Sequence, residues 1–113
     1  MAKYLVLMYG KEMKMPEVVT AEMMEAGTKP WREYLGPLTK KNVLESSAPV
    51  VWEGKVVDAN GATKEYTPND TDLLGYMLIK ASSMEEAVEI AKKSPHAISK
   101  AGYTVIRQAM EVM

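Results

Sequence analysis

Residues 3–9 read KYLVLMY, and residues 73–80 read LLGYMLIK. Both stretches are rich in β-forming side chains and, apart from the terminal residues Lys3 and Lys80, are apolar on both faces, which predicts two buried strands. Neighbouring side chains of a strand point to opposite sides of the sheet. The first stretch therefore divides into two apolar sets: Leu5, Leu7 and Tyr9 on one face, and Tyr4, Val6 and Met8 on the other. Both faces of the sheet are expected to be shielded from water.

The segments around these strands carry helix and hairpin signals. Helices are predicted over residues 17–26 with a stop at Gly27, from Pro30 to about Lys41 with a kink near Gly36–Pro37, and from Ser82 or Ser83 to about Lys93, where Glu85 or Glu86 closes a capping box. Further strands are predicted at 43–46, at 49–58 and 62–66 around the turn pair Asn60–Gly61, and at 102–110. The order β–α–hairpin–β–α–β predicts one α+β domain over residues 1–113.

The number of helices limits how this sheet is covered. The two helical stretches between 17 and 41 count as one helical element and the helix from Ser82 or Ser83 as a second, and two helical elements cover only one face of a sheet of about four strands. Apolar patches of several hundred Å² are rare on the surface of monomers. A second copy of the chain is the simplest cover for the other face, so we expect an isologous homodimer that packs sheet against sheet.

Composition excludes several classes of protein. The formal net charge is −1 over 113 residues, without the basic footprint of a nucleic-acid or membrane-surface binder. The chain has no cysteine, which excludes thiol nucleophiles and cysteine-held metals. The N-terminal apolar run is too short for a signal peptide, and no stretch is long enough to span a membrane. We expect a cytoplasmic protein. One histidine and no phosphate-binding glycine loop predict neither a metal site nor a cofactor.

Three stretches carry a family resemblance. They are KYLVLMYG at the N-terminus, GYMLIKASSMEEAVEIAKKSPH from residue 75 and AGYTVIRQAMEV from residue 101. They resemble the YCII-related, or DGPF-domain, family, and this implies a ferredoxin-like antiparallel sheet with helices on one face, in a dimeric α+β barrel. The Asp-Gly-Pro-Phe motif itself is absent, and TPNDTD (67–72) stands near its place. The resemblance also implies a histidine before Tyr34–Leu35, where this chain has Trp31, which cannot titrate near neutral pH.

Two residues are candidates for proton transfer. His96, the only histidine, follows Ser-Pro after the last predicted helix and is either a general acid or base or a loop residue that binds backbone carbonyls. Asp72 is either an acid or base at the position that the resemblance implies for an aspartate, or a turn-forming carboxylate of TPNDTD.

Four residues are candidates for ligand binding. Arg107 lies mid-strand on the same face as Tyr103 and Val105, and a guanidinium among apolar neighbours needs a partner. The partner is either an internal carboxylate, with Glu33, Glu65, Asp70 and Asp72 as candidates, or an anionic ligand held bidentately. The aromatic residues Tyr9, Trp31 and Tyr34 either line a pocket or pack in the core.

These observations leave three hypotheses for function. The first is a homodimer that binds a small organic molecule, anionic if Arg107 holds it, in a cleft between sheet and helices. The second is a cofactor-independent enzyme of lyase, isomerase or hydrolase type, in which His96 or Asp72 moves a proton and Arg107 binds the substrate. The third is a structural or regulatory dimer without a ligand.

Overall fold

A computed structural model of the chain describes residues 1–14 and 16–111. The elements follow in the order β1 (Ala2–Lys11), α1 (Ala21–Lys40), β2 (Leu44–Pro49), β3 (Gly54–Val57), β4 (Thr63–Tyr66), β5 (Thr71–Ala81), α2 (Met84–Lys92), α3 (Pro95–Ser99) and β6 (Gly102–Ala109). Four strands form an antiparallel sheet in the order β2-β5-β1-β6, and β3 pairs with β4 in a separate hairpin. The predicted α+β class, with the helices on one face of an antiparallel sheet, is confirmed.

The two mainly apolar stretches, residues 3–9 and 73–80, form β1 and β5 in the middle of the sheet. Their side chains alternate, and the helices pack on the face that carries Tyr4, Val6 and Met8. The buried core consists of these three residues with others from β5 and α2: Met77, Ile79, Ala81, Ala87 and Ala91. Residues of α1 and of the segment before β2, such as Trp31, Leu35 and Val43, complete the packing on this side.

The capping signal predicted for α2 is confirmed, and a further short helix, α3, follows it. Ser83 is the N-cap of α2, and its hydroxyl accepts a hydrogen bond from the Glu86 N–H at 3.1 Å. The Glu86 carboxylate in turn accepts from the Ser82 N–H at 3.1 Å, so both serines take part in fixing the helix start. Ser94 ends this segment and caps the short helix α3.

Helix α1 differs from its prediction, since one continuous helix replaces two. The predicted stop at Gly27 is wrong because Gly27 keeps helical geometry; within the described residues only Gly61 is a glycine with positive φ. Pro30 and Pro37 both lie inside the helix. Each proline removes one backbone donor, but the hydrogen bonds on either side continue the helix to Lys40.

The second face of the sheet, called the open face below, points away from the helices. Cross-strand partners in an antiparallel sheet share a face. The open face therefore carries the partners of Leu5, Leu7 and Tyr9, which are Leu78, Tyr76, Leu73, Arg107, Val105 and Tyr103. None of the helices in the described ranges covers it. No helix in the described part of the chain is long and apolar enough to cross a membrane.

Candidate functional site

His96 joins the ends of two neighbouring strands. It is 9% exposed, and its Nε2 lies 3.1 Å from the carbonyl oxygen of Tyr9 and 3.3 Å from that of Tyr103. Both carbonyls only accept hydrogen bonds, so Nε2 must carry a proton and donate. His96 therefore ties the end of β1 to the start of β6, in the manner of the backbone-binding alternative.

Close packing around His96 depends on two glycines. A Cβ on Gly10 would lie 2.7 Å from Leu74 Cδ1 and 3.7 Å from His96 Cε1. A Cβ on Gly102 would lie 1.9 Å from the Tyr9 carbonyl oxygen. The absence of side chains at Gly10 and Gly102 lets the ends of β1 and β6 approach each other and Leu74 beside His96.

Asp72 is held by three hydrogen-bond donors. Its Oδ2 accepts from the Tyr66 hydroxyl and from the Asn69 N–H at 3.0 Å, and its Oδ1 accepts from the Leu73 N–H at 2.7 Å. The hydrogen bond from Tyr66, with the two backbone donors, lowers the pKa of Asp72 below its ordinary value. The same hydrogen bond, with desolvation and the charge of Asp72, raises the pKa of Tyr66. Near neutral pH, Asp72 is an anion and Tyr66 keeps its proton.

A hollow beside this pair is the best candidate for a binding site. It has a volume of about 260 Å³ and lies between the β3–β4 hairpin and the end of the sheet. Its lining includes Val51, Trp52, Tyr66, Pro68, Asp72 and Leu73. We call it the hairpin hollow. A second, more open hollow of about 380 Å³ shares the Trp52–Pro68 wall with it and has Lys11 and Asp70 on its rim.

The predicted ligand-binding residues divide between the two faces of the sheet. Tyr9 and Arg107 lie on the open face, whereas Trp31 and Tyr34 pack against the core on the helix side. Core side chains fill the space under the helices, and both hollows described above lie elsewhere. The four residues therefore do not meet in a cleft between sheet and helices.

Arg107 also differs from its prediction. In the single chain its side chain is exposed on the edge strand β6, not buried among apolar neighbours. Within the described ranges it forms no ion pair, and none of the four candidate carboxylates is its partner. The edge position explains the difference, because a strand neighbour shields it on one side only.

The aromatic candidates have packing roles. Tyr9 stacks on Tyr103 with ring centroids 5.1 Å apart and an angle of 11° between the planes. Trp31 meets Tyr34 edge to face at 6.1 Å. The Tyr34 hydroxyl donates to the Ile90 carbonyl at 2.6 Å, which links α1 to α2, and burial raises the pKa of Tyr34 to about 12.

Asp72 is the one residue of the hollow's lining that the sequence predicted as a site residue, and Tyr66 and Trp52 are the main additions. Tyr66 was placed at the end of a hairpin strand and Trp52 inside one, and neither was assigned a site. The sequence feature that could have indicated Tyr66 is its position directly before TPNDTD. A turn of that composition can bring the tyrosine hydroxyl back to a carboxylate six residues later. Within the described part of the chain, no cluster of three His, Asp or Glu side chains has the arrangement of a metal site.

The topology defines the class of the protein. An antiparallel sheet of this order with helices on one face is the ferredoxin-like fold. Among solved structures, the chain is similar to 5-chloro-2-hydroxyhydroquinone dehydrochlorinase (TftG) from Burkholderia phenoliruptrix AC1100, in complex with 2,5-dihydroxybenzoquinone. The TM-score is 0.53 and the identity 14%, over 97% of this chain and 95% of that one, which is a likeness of fold. No family model and no curated protein matches the sequence.

Proposed function

We propose that the chain is a binding protein for a small, single-ring aromatic molecule with hydroxyl groups, held in the hairpin hollow. The observation that carries this proposal is the Tyr66–Asp72 pair on the wall of a hollow whose other lining residues are mostly apolar, with Glu53 and Lys55 as the charged exceptions. Such a site combines an apolar surface for a ring with a few polar groups that orient it.

The size of the hollow supports a single ring. An apolar cavity of about 150 Å³ is enough to hold benzene. The hairpin hollow, at about 260 Å³, has room for a ring with several substituents. The structural neighbour, in complex with 2,5-dihydroxybenzoquinone, is an enzyme with a ligand of this size class.

The polar groups of the hollow favour a ligand that donates hydrogen bonds. Each carboxylate oxygen accepts about two hydrogen bonds, and Asp72 Oδ1 receives only one from within the described residues. Tyr66 donates its proton to Asp72 and so has lone pairs to accept another donor. Both groups thus offer acceptors to a ligand, as a phenolic hydroxyl requires.

The same groups disfavour the anionic ligand that Arg107 suggested. Asp72 is ionised, so it repels an anionic ligand bound in the hairpin hollow. Lys55, which lines the hollow, forms an ion pair with Glu65. Arg107 does not line the hollow.

Binding is favoured over acid–base catalysis by the state of the two candidate groups. His96 binds backbone carbonyls, and Asp72 binds Tyr66 and the backbone, so the two belong to separate hydrogen-bond networks. A carboxylate with a lowered pKa is a weak base near neutral pH. Neither group is prepared for proton transfer in the way the enzyme hypothesis requires.

We also propose that the protein is a cytoplasmic homodimer of the YCII-related family. The open face supports the dimer, since Leu5, Leu7, Val105 and Leu78 lie there without cover from a described helix. The family rests on the resemblance at β1 and from β5 to β6, together with the shared fold class.

Titration calorimetry with catechol and benzoate tests the binding site. Wild type is expected to bind catechol more tightly than benzoate, and Asp72→Asn is expected to weaken catechol binding by about tenfold or more, because it replaces a charged acceptor. Asp70→Asn is the matched control, since Asp70 lies on the rim of the other hollow. Tighter binding of benzoate, or an unchanged affinity for catechol in Asp72→Asn, contradicts the proposal.

A further inference from the structure

Strand β6 presents three different side chains on the open face. Tyr103, Val105 and Arg107 alternate there, opposite Tyr9, Leu7 and Leu5 of β1. An aromatic ring therefore lies two residues before Val105, and a guanidinium lies two residues after it.

The ring and the guanidinium each have unused surface. Tyr103 is 55% exposed although one side of its ring stacks on Tyr9. Arg107 is exposed and has no ion-pair partner in the described ranges. An arginine side chain stacks readily on the face of a tyrosine ring, and the contact gains strength when water is excluded.

These two groups do not meet within one chain. Four residues along a strand span about 13 Å, which separates Tyr103 from Arg107. A twofold axis that crosses β6 at Val105, in the plane between two facing sheets, reverses the strand direction of the second copy. It places each Tyr103 opposite the partner's Arg107, and the contact occurs twice, as an isologous interface requires.

We propose that two copies pack their open faces with the β6 strands antiparallel, so that Arg107 of each chain stacks on the partner's Tyr103. The proposal rests on the dimer in the proposed function and fixes its geometry. The partner's arginine then covers the Tyr9–Tyr103 stack at one end of the open face.

Charge at the other end of the sheet supports this orientation. Glu45 lies 3.0 Å from Lys3 and 3.5 Å from Lys80, and Arg107 lies at the same end on β6. Among the side chains named here, Lys3, Lys80 and Arg107 are cations and Glu45 is an anion. An axis parallel to the strands would place two such ends face to face, and like charges would repel. The antiparallel arrangement places Arg107 over the partner's Tyr103 instead. It also brings Lys3 opposite the partner's Lys11, whose charge is offset by its ion pair with Asp70.

A charge-reversal rescue tests the geometry. Sedimentation equilibrium would measure the dimer dissociation constant of wild type, Tyr103→Lys, Arg107→Glu and the double variant. Tyr103→Lys is expected to weaken the dimer by about tenfold or more, because a lysine replaces the ring opposite the partner's Arg107 in two symmetric contacts. The double variant should regain most of this loss, since Lys and Glu then pair across the interface. Lys29→Glu, on the exposed part of α1, is the control for a change of charge.

The possible results separate this inference from the proposed function. Restored dimerisation in the double variant supports the antiparallel register. A wild-type dimer that neither single variant weakens, or a double variant as weak as Tyr103→Lys, overturns the register and leaves the dimer standing. A monomeric wild type overturns both the register and the dimer, whereas catechol binding is measured separately and stands or falls on its own.

Discussion

At the scale of single residues, the electrostatic feature that bears on the hairpin hollow is the carboxylate of Asp72. Hydrogen bonds from Tyr66, Asn69 and Leu73 hold its pKa below the ordinary value of 3.8. The folded chain therefore binds a proton here less readily than the unfolded chain. The stabilisation is complete above the ordinary pKa and disappears as the pH falls through the lowered one.

The first prediction is a pH-dependent effect of Asp72→Asn. At neutral pH the variant should have a lower free energy of unfolding than wild type, and the difference should shrink below about pH 4. Urea denaturation at neutral pH and at about pH 3 measures it. Asp70→Asn is the control, because its ion pair with Lys11 is exposed on both sides and contributes little. A difference that stays constant with pH would show that Asp72 does not act through its charge.

The residue-scale predictions from the sequence had two alternatives each, and these alternatives differ in long-range contacts that the sequence does not show. For His96, the carbonyls that it binds belong to Tyr9 and Tyr103, and Tyr9 lies 87 residues earlier in the chain. Such a contact depends on strand pairing and leaves no local pattern. The turn-forming role of Asp72 could be predicted, since its backbone donors are at Asn69 and Leu73.

At the scale of elements, helix α1 divides into two unequal halves. Residues 21–30 are exposed throughout, whereas Trp31, Tyr34 and Leu35 of the second half pack on the core. The first half is therefore held by local interactions, including the N-cap bond from the Met23 N–H to the Thr20 hydroxyl at 3.1 Å.

The second prediction is that Gly27→Ala strengthens this half of the helix. A Cβ at Gly27 meets no atom within 4 Å, and alanine loses less backbone entropy than glycine when the helix forms, which is worth about 0.5–1 kcal/mol. Slower amide hydrogen exchange around residue 27 and greater helical circular dichroism would confirm it. Gly102→Ala is the contrasting variant and should cost about 2 kcal/mol or more, because its Cβ would collide with the Tyr9 carbonyl. Faster exchange in Gly27→Ala would contradict the prediction.

Elements with tertiary support were the ones that the sequence predicted well. The apolar stretches that became β1 and β5, and the Ser83 cap of α2, each have a local signal that agrees with the packing. Gly27 in α1 carried an equally clear stop signal. It was misleading because a glycine ends a helix only where the backbone turns to positive φ, and the sequence does not show whether it does.

At the scale of the whole molecule, the two faces of the sheet differ in whether helices of the same chain cover them. The helix face closes within one chain, around Val6, Met77 and Ile79. The open face does not close in the described ranges. The sequence indicated this imbalance through its count of helices, but it did not locate the hollow. That hollow depends on where the separate β3–β4 hairpin lies, which no periodic pattern encodes.

The third prediction concerns Leu7, which lies near the middle of the open face between Tyr76 and Val105. An arginine there would place an unpaired charge inside a sheet-on-sheet interface, so Leu7→Arg should prevent dimerisation while the helix-side core stays intact. The melting temperature of wild type should rise with protein concentration, because association stabilises the folded state, and that of the variant should not. Met23→Arg, on the exposed half of α1, is the matched control and should behave as wild type. If Leu7→Arg sediments as a dimer with wild-type affinity, the two copies do not meet through this face.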